Sequence, residues 1–235
     1  MLAIFKREFK SYFQNVIGWL FVAALLAVYG LYFYVYNLKN GYPYISYDLN
    51  GIGFIMMIAV PILTMRSLSD EKKTKTDQLM LTSPVSVGKI VAGKYFAMAA
   101  VYTIDIALFA LSPLVLSIYG KVALSEAYVA LFGYWLYGLS CIAVGLFISS
   151  ISESVIISAI LTFAALFLSY MMQSITGLIS SSGNLLTKVL NCFDLYTPFE
   201  NFVSGCFSVT SAAYYVTVIL LLCFPLIYQF QKCLF

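Results

Sequence analysis

The chain has 235 residues, of which 62% are hydrophobic and only 10% are charged. A soluble domain carries roughly 25% charged residues, so this composition excludes a soluble globular protein and indicates an integral membrane protein. The formal net charge of +3 gives no indication of a nucleic-acid partner, and the absence of histidine excludes zinc proteases of the HExxH kind and histidine-dependent serine triads.

Six apolar stretches predict the fold class. A helix needs roughly 20 predominantly apolar residues to cross the hydrocarbon core of a bilayer. We therefore expect an all-α integral membrane protein in which residues 1–235 form one transmembrane domain. The predicted spans are residues 17–36, 50–66, 95–118, 127–149, 154–172 and 211–230.

The N-terminal segment, residues 1–14, predicts an amphipathic helix. Its aromatic residues, such as Phe5, Phe9 and Phe13, recur on one helical face, and charged residues lie elsewhere. Such a helix lies in the plane of the membrane interface. A basic leader that only determines topology is the alternative, and the two roles are compatible.

The distribution of Lys and Arg predicts the orientation. Of the 13 basic residues, Lys39, Lys121 and Lys188 flank one side of the predicted spans, and the other ten flank the opposite side. Because cytoplasmic loops carry the excess of positive charge, both termini and the segment after the second span are expected in the cytoplasm.

Residues 66–86, between the second and third spans, form the most polar stretch of the chain. Thr74 and Asp77 have the spacing of a capping box, and Pro84 ends the helical pattern, which predicts a short helix over residues 76–82. The apolar residues of this helix, flanked by charges, favour docking into a groove of a soluble partner. A patch that binds anionic lipid is the competing interpretation.

The third span contains Asp105, deep in the predicted bilayer. A charge at that depth costs about 3 kcal/mol on the most lenient scale, which makes an intramembrane carboxylate a candidate functional residue. The alternative is a structural acid, protonated or hydrogen-bonded to a neighbouring helix.

Two further connections complete the chain. A tight polar turn around Glu153 joins the fourth and fifth spans on the predicted cytoplasmic side, whereas residues 173–210 form a long outer segment. We expect two short helices in that segment, dipping into the outer leaflet or lying on it, either as a lid on a transport pathway or as a structural cap. The sequence does not decide whether Cys192 and Cys206 in this segment form a disulfide.

A nucleotide-hydrolysis site is not expected. Residues 88–94 match GxxxxGK, but the next residue, Tyr95, stands where a P-loop has a magnesium-binding Ser or Thr, and the match lies at the start of a membrane helix. The chain is therefore not expected to be an enzyme or to hold a cofactor.

Residues 71–86, EKKTKTDQLMLTSPVS, followed by KIVAGK at residues 89–94, resemble permeases of the type-2 exporter family of ATP-binding-cassette (ABC) transporters. Two departures are Lys75, where glycine is usual, and Met80 within the leucine pair. The opening residues 5–8, FKRE, and the late Phe193-Asp194 pair are similar to gliding-motility-associated permeases, and the resemblance covers essentially the whole chain.

The resemblance implies a bacterial cytoplasmic-membrane permease that pairs with a second permease, the same or a sister chain, and with two cytoplasmic ATPases that bind ATP and magnesium. A further accessory membrane or extracellular subunit is compatible with it. It also implies that the segment after the second span is a coupling helix, with the Glu153 turn as a second contact. The residues implied in ATPase coupling are Asp70, Glu71, Thr76, Asp77, Leu79, Met80, Leu81, Pro84 and Glu153.

Two rival functions remain open. The first is an ion-coupled secondary carrier that uses Asp105, which would need internal repeats or broken helices around a site at the membrane midplane. The second is a membrane subunit that anchors or assembles partners without transporting a substrate.

Overall fold

The computed structural model describes residues 2–74, 86–119, 122–179 and 193–232, and within these ranges it contains helices and no strand. The helices are α1 (Leu2–Gln14), α2 (Val16–Phe33), α3 (Ile45–Thr64), α4 (Ser69–Thr74), α5 (Val87–Phe109), α6 (Ser112–Tyr119), α7 (Leu124–Ile151), α8 (Val155–Ile179), α9 (Thr197–Val203) and α10 (Val209–Lys232).

Six helical stretches in the described ranges are long and apolar enough to cross a membrane. Each overlaps one of the predicted spans, which confirms the all-α membrane fold. They are Val16–Lys39, Ile45–Lys73, Val87–Ile118, Leu124–Ile151, Val155–Met172 and Val209–Tyr228. The end that carries α1, α4 and the turn at 152–154 is called the inner end below, and the opposite end is the outer end.

Helix α7 is the centre of the bundle and contacts α3, α5, α8, α9 and α10. Two glycines of α7 allow neighbouring helices to approach it closely. A Cβ atom added at Gly138 would lie 2.3 Å from the ring of Tyr102, and one added at Gly133 would lie 2.4 Å from Phe202. Small residues of this kind let membrane helices approach closely, because van der Waals packing drives helix association in lipid.

The third span is broken, where the sequence predicted one continuous helix over residues 95–118. Helix α5 ends at Phe109 and α6 begins at Ser112. Pro113 has no N–H to donate to the Phe109 carbonyl, and the Ser112 hydroxyl donates to that carbonyl instead, at 2.7 Å. The Ser112 hydroxyl also shares a hydrogen bond with Tyr29 of α2. The break is therefore satisfied inside the protein, as irregular backbone within a membrane must be.

The first outer connection is shorter than the gap between the predicted spans 17–36 and 50–66. A π-helical turn, Tyr34–Lys39, extends α2, and α3 already begins at Ile45. As a result Asn37 and Asp48 belong to helical segments, and both are buried. The Asn37 amide donates a hydrogen bond to the Asp48 carboxylate.

The long outer segment is helical near both of its described ends. Helix α8 runs on to Ile179, so the segment predicted over 173–210 begins inside a helix. Near the other end, α9 buries Phe199 and Phe202 completely, and the ring centroid of Phe199 lies 5.6 Å from that of Tyr137 in the middle of α7. The first of the two predicted outer helices lies mainly outside the described residues.

Candidate functional site

The predicted coupling segment is described only at its beginning. Asp70 and Glu71 lie in α4, and Glu153 lies exposed in the turn between α7 and α8. The remaining predicted coupling residues lie outside the described ranges: Thr76, Asp77, Leu79, Met80, Leu81 and Pro84.

A buried lysine connects three elements at the inner end. Lys94 of α5 is only 1% exposed, and its ammonium donates hydrogen bonds to Glu71 Oε1 of α4 at 2.6 Å and to the Ser67 carbonyl at 3.0 Å. Glu8 Oε1 of α1 lies 3.4 Å from the same nitrogen and accepts from Arg7 at 2.7 Å. We call Glu8, Glu71 and Lys94 the Lys94 cluster. It joins the N-terminal helix, the start of the coupling segment and the third span.

A lysine near the end of a membrane helix usually extends its ammonium to the interface, whereas the structure buries Lys94 in this ion pair. A signal was present, because Ile90, Val91, Lys94 and Met98 recur at helical spacing and place the lysine on the apolar face of α5. A buried ammonium needs hydrogen-bonded opposite charges. The two glutamates provide the opposite charges, and the Ser67 carbonyl accepts a further hydrogen bond.

Helix α4 is also attached to the inner end of α7. The backbone N–H groups of Leu68 and Ser69 both donate to the Ser149 hydroxyl at 3.2 Å. The Lys72 ammonium donates to the Ser150 carbonyl, one of the terminal carbonyls of α7. These contacts bring α4 beside the turn that carries Glu153, and α4 contacts both α7 and α8. Two stretches that are some 80 residues apart in sequence, as the Ser69 to Ser149 contact shows, therefore share one surface.

Between α1 and the turn that follows α3, a polar pocket of about 450 Å³ lies next to the Lys94 cluster. Its walls include Tyr12 of α1, and burial together with the Glu8 carboxylate raises the pKa of the Tyr12 hydroxyl above its ordinary value. The side chain is therefore an uncharged phenol in the pocket wall.

Asp105, the intramembrane carboxylate that the sequence indicated as a candidate, is fully buried on α5. Neither of its carboxylate oxygens has a hydrogen-bond partner among the residues that the structure describes. The hydroxyl of Tyr134, on the neighbouring helix α7, is likewise buried without such a partner. The break between α5 and α6 begins five residues beyond Asp105.

At the outer end, Asp194 organises the start of α9. Its Oδ1 atom accepts hydrogen bonds from the backbone N–H groups of Tyr196 at 2.9 Å and Thr197 at 3.0 Å, and its Oδ2 atom accepts from the Thr197 hydroxyl. The Ser169 hydroxyl of α8 donates to the Phe193 carbonyl at 2.7 Å, and the Tyr215 hydroxyl of α10 donates to the Leu195 carbonyl at 2.8 Å. Side chains of two spans thus hold the entry to α9. Cys206 lies after α9, but its candidate disulfide partner Cys192 is outside the described residues.

The sequence reasoning missed the Asn37 to Asp48 contact and the structural role of Asp194. Asp48 stands near the start of an apolar helix, where an acidic residue suits the helix dipole, and Asp194 comes three residues before Thr197. Both patterns were readable, although the partners of these residues were not. Within the described ranges, no group of three or more His, Cys, Asp or Glu side chains is placed to hold a metal ion.

Comparison with known families identifies the chain. A family model described as "ABC-2 family transporter protein" matches residues 25–229, which is most of the sequence and all but the beginning of the first span. A search of curated proteins found no match. Together with the six membrane-spanning helices, this match shows that the chain belongs to the ABC-2 transporter family and is a permease subunit of an ABC transporter.

Proposed function

We propose that this chain is the transmembrane half of an ATP-driven exporter, coupled to two separate cytoplasmic ATPase subunits. One observation carries the proposal beyond family membership: α4 and the Glu153 turn share one surface at the inner end of the bundle. Asp70 and Glu153 are exposed on it. An ATPase that contacts both stretches would hold the second, third, fourth and fifth spans at once.

The contacts behind this surface suggest how movement would be transmitted. A displacement of α4 would be transmitted to α5 and α1 through the Lys94 cluster, and to α7 through the Ser149 hydroxyl. Because these contacts are mostly buried, the inner ends of the spans would move together with α4 as a rigid unit. Rigid-body movement of this kind is a common way to open and close a pathway.

The proposal includes the finer expectations from the sequence. We place both termini in the cytoplasm because ten of 13 basic residues flank that side, and we place the protein in a bacterial cytoplasmic membrane by resemblance. A second permease, the same or a sister chain, completes the transporter. Relatedness to gliding-motility-associated permeases stays a prediction.

Co-purification tests the proposal directly. The chain, expressed with the products of its neighbouring genes, should co-purify an ATPase whose activity responds to the permease. Glu153→Lys, which reverses a charge on the proposed contact surface, should reduce ATPase binding, whereas Glu126→Lys at the opposite end of α7 should not. If both variants bind the ATPase like the parent protein, the surface has been assigned wrongly.

The coupling residues outside the described ranges need their own variant. Leu79→Asp combined with Leu81→Asp should leave the permease folded and uncouple ATP hydrolysis from transport, because two charges would enter the apolar anchor of the predicted helix. Unchanged ATPase stimulation by substrate would contradict the coupling role of this helix.

Asp105 favours a second candidate function, the ion-coupled carrier. Its carboxylate is fully buried, has no described partner and lies close to a break in a membrane helix, which are features of coupling-ion sites. A carrier would transport substrate without an ATPase and would lose transport in Asp105→Asn. Transport by the reconstituted chain alone would support the carrier, and strict dependence on an added ATPase would support the exporter.

A further inference from the structure

The polar pocket at the inner end is formed by two segments that are distant in sequence. One wall comes from α1 and the start of α2, and the other comes from residues 66–71. The Lys94 cluster holds these walls together through Glu8 and Glu71. At about 450 Å³, the pocket falls within the range of roughly 300–1,000 Å³ that is typical of small-molecule sites.

The pocket walls carry both signs of charge in balance. Arg7 and Arg66 are positive, and Glu8, Asp70 and Glu71 are negative. Lys94, bound to two of these carboxylates from behind, makes the total three positive and three negative charges. A ligand with a net charge would leave an excess in the site, whereas a zwitterion would meet opposite charges at both of its ends.

The surroundings of the pocket indicate a membrane interface. The pocket reaches Ile17 at the start of α2, and the adjacent side chains of Val16 and Trp19 are 76% and 60% exposed. The indole N–H of Trp19 donates to the Phe13 carbonyl at 2.9 Å, while its ring remains exposed. Tryptophan is enriched at the level of lipid headgroups. The exposed apolar side chains next to the pocket are therefore placed to contact the part of the acyl chains that lies nearest the headgroups.

We propose that this pocket binds the headgroup of an amine-bearing zwitterionic phospholipid, of the phosphatidylethanolamine type. The guanidinium groups of Arg66 and Arg7 bind its phosphate, and the carboxylate of Asp70 accepts from its ammonium. Charge-assisted hydrogen bonds of this kind need N–H donors on the ligand amine. A choline headgroup has none, so the pocket discriminates between the two zwitterions.

Lipid retention by the full-length chain tests the assignment. The purified protein is exchanged into detergent that contains equal amounts of phosphatidylethanolamine, phosphatidylcholine and phosphatidylglycerol with identical acyl chains, and bound lipid is counted by native mass spectrometry. We expect phosphatidylethanolamine to be retained several-fold over the other two. Arg66→Ala should lower its retention roughly tenfold, the loss expected for one charge-assisted contact.

Lys89→Ala is the matched control, because Lys89 is an exposed cation at the inner end that does not line the pocket. It should retain phosphatidylethanolamine like the parent protein, and Arg66→Lys should retain more than Arg66→Ala. Equal losses in Arg66→Ala and Lys89→Ala, equal retention of all three lipids, or preference for phosphatidylglycerol would each overturn the proposal.

Soluble competitors identify the source of the headgroup chemistry. Free phosphoethanolamine at millimolar concentration should displace the retained lipid from the parent protein, and inorganic phosphate at the same concentration should displace much less. Displacement by both to the same extent would assign the pocket to a phosphate ion and overturn the zwitterion assignment. Because the readout is bound lipid, the result does not depend on whether the chain exports a substrate.

Discussion

Lys94 and Asp105 are two buried ionisable residues on the same helix, and they differ in the partners that surround them. The Lys94 ammonium has two carboxylates and a backbone carbonyl as partners. The Asp105 carboxyl, eleven residues further along α5 and about 16 Å away along its axis, has no hydrogen-bond partner among the described residues. The first is built into the fold, whereas the second has no such support from the described residues.

The difference separates a structural role from a functional candidate. A buried charge with complete partners stabilises a particular arrangement of the elements that supply them, and removing one partner leaves the others uncompensated. A buried acid without partners must be neutral or must bind something else, because an isolated charge in hydrocarbon is costly. Substitutions test how much the contacts in these regions contribute to stability, and we describe them from the largest expected effect to the smallest.

Lys94→Met should have the largest effect on stability. The substitution keeps most of the length of the side chain but removes the ammonium that Glu71 and Glu8 share, and breaking a buried ion pair costs about 3 kcal/mol or more. We expect a loss of this size in the free energy of unfolding, measured by denaturation in mixed micelles. Lys89→Met, on the exposed face of the same helix, should change it by less than about 0.5 kcal/mol.

A second substitution checks that the loss arises from the carboxylates that lose Lys94. Adding Glu71→Gln to Lys94→Met should recover part of the stability, because the amide needs no cation. If the double variant is no more stable than Lys94→Met alone, the ion pair is not the source of the effect.

Gly138→Ala tests the packing of α5 against α7 at Tyr102, three residues before Asp105. The new methyl group would meet the buried ring of Tyr102 at 2.3 Å, and overpacking of this kind costs about 1–3 kcal/mol. The free energy of unfolding should fall accordingly. Gly30→Ala is the matched control, because no atom lies within 4 Å of its added Cβ, and it should be neutral or slightly stabilising.

Asp194→Ala tests a carboxylate whose partners are two backbone N–H groups and the Thr197 hydroxyl. It should cost about 1 kcal/mol, the usual effect of removing a cap, because two N–H groups at the start of α9 lose their acceptor. Increased proteolysis between α8 and α9 would report local loosening at the outer end. Asp194→Asn keeps an acceptor oxygen and should lose less; equal losses in the two variants would argue against a capping role.

Asp105→Asn should have the smallest effect on stability. A neutral amide replaces a carboxyl that has no described partner, so we expect a change below about 1 kcal/mol in the free energy of unfolding. Any effect should instead be on transport. A loss as large as that of Lys94→Met would show that Asp105 has a strong partner and would remove the contrast between the two residues.

Much of the fold was predictable because membrane helices leave a strong local signal. The apolar stretches identified the six spans. The break at Ala110 to Ser112 was not predicted, although Pro113 was visible, because prolines within membrane helices are often accommodated. The inward position of Lys94 was also missed, since long basic side chains near a helix end usually extend to the interface.

The sequence by itself determined the class of protein, the number of spans, the polar segment between the second and third spans and the resemblance to exporter permeases, because each depends on local composition or on a contiguous motif. Only the tertiary structure decided which distant residues meet. It placed Glu8 and Glu71 around Lys94, α4 beside the Glu153 turn, and Asp105 away from every described partner. These pairings depend on how helices pack, and packing in lipid follows side-chain shape and buried hydrogen bonds that no local pattern encodes.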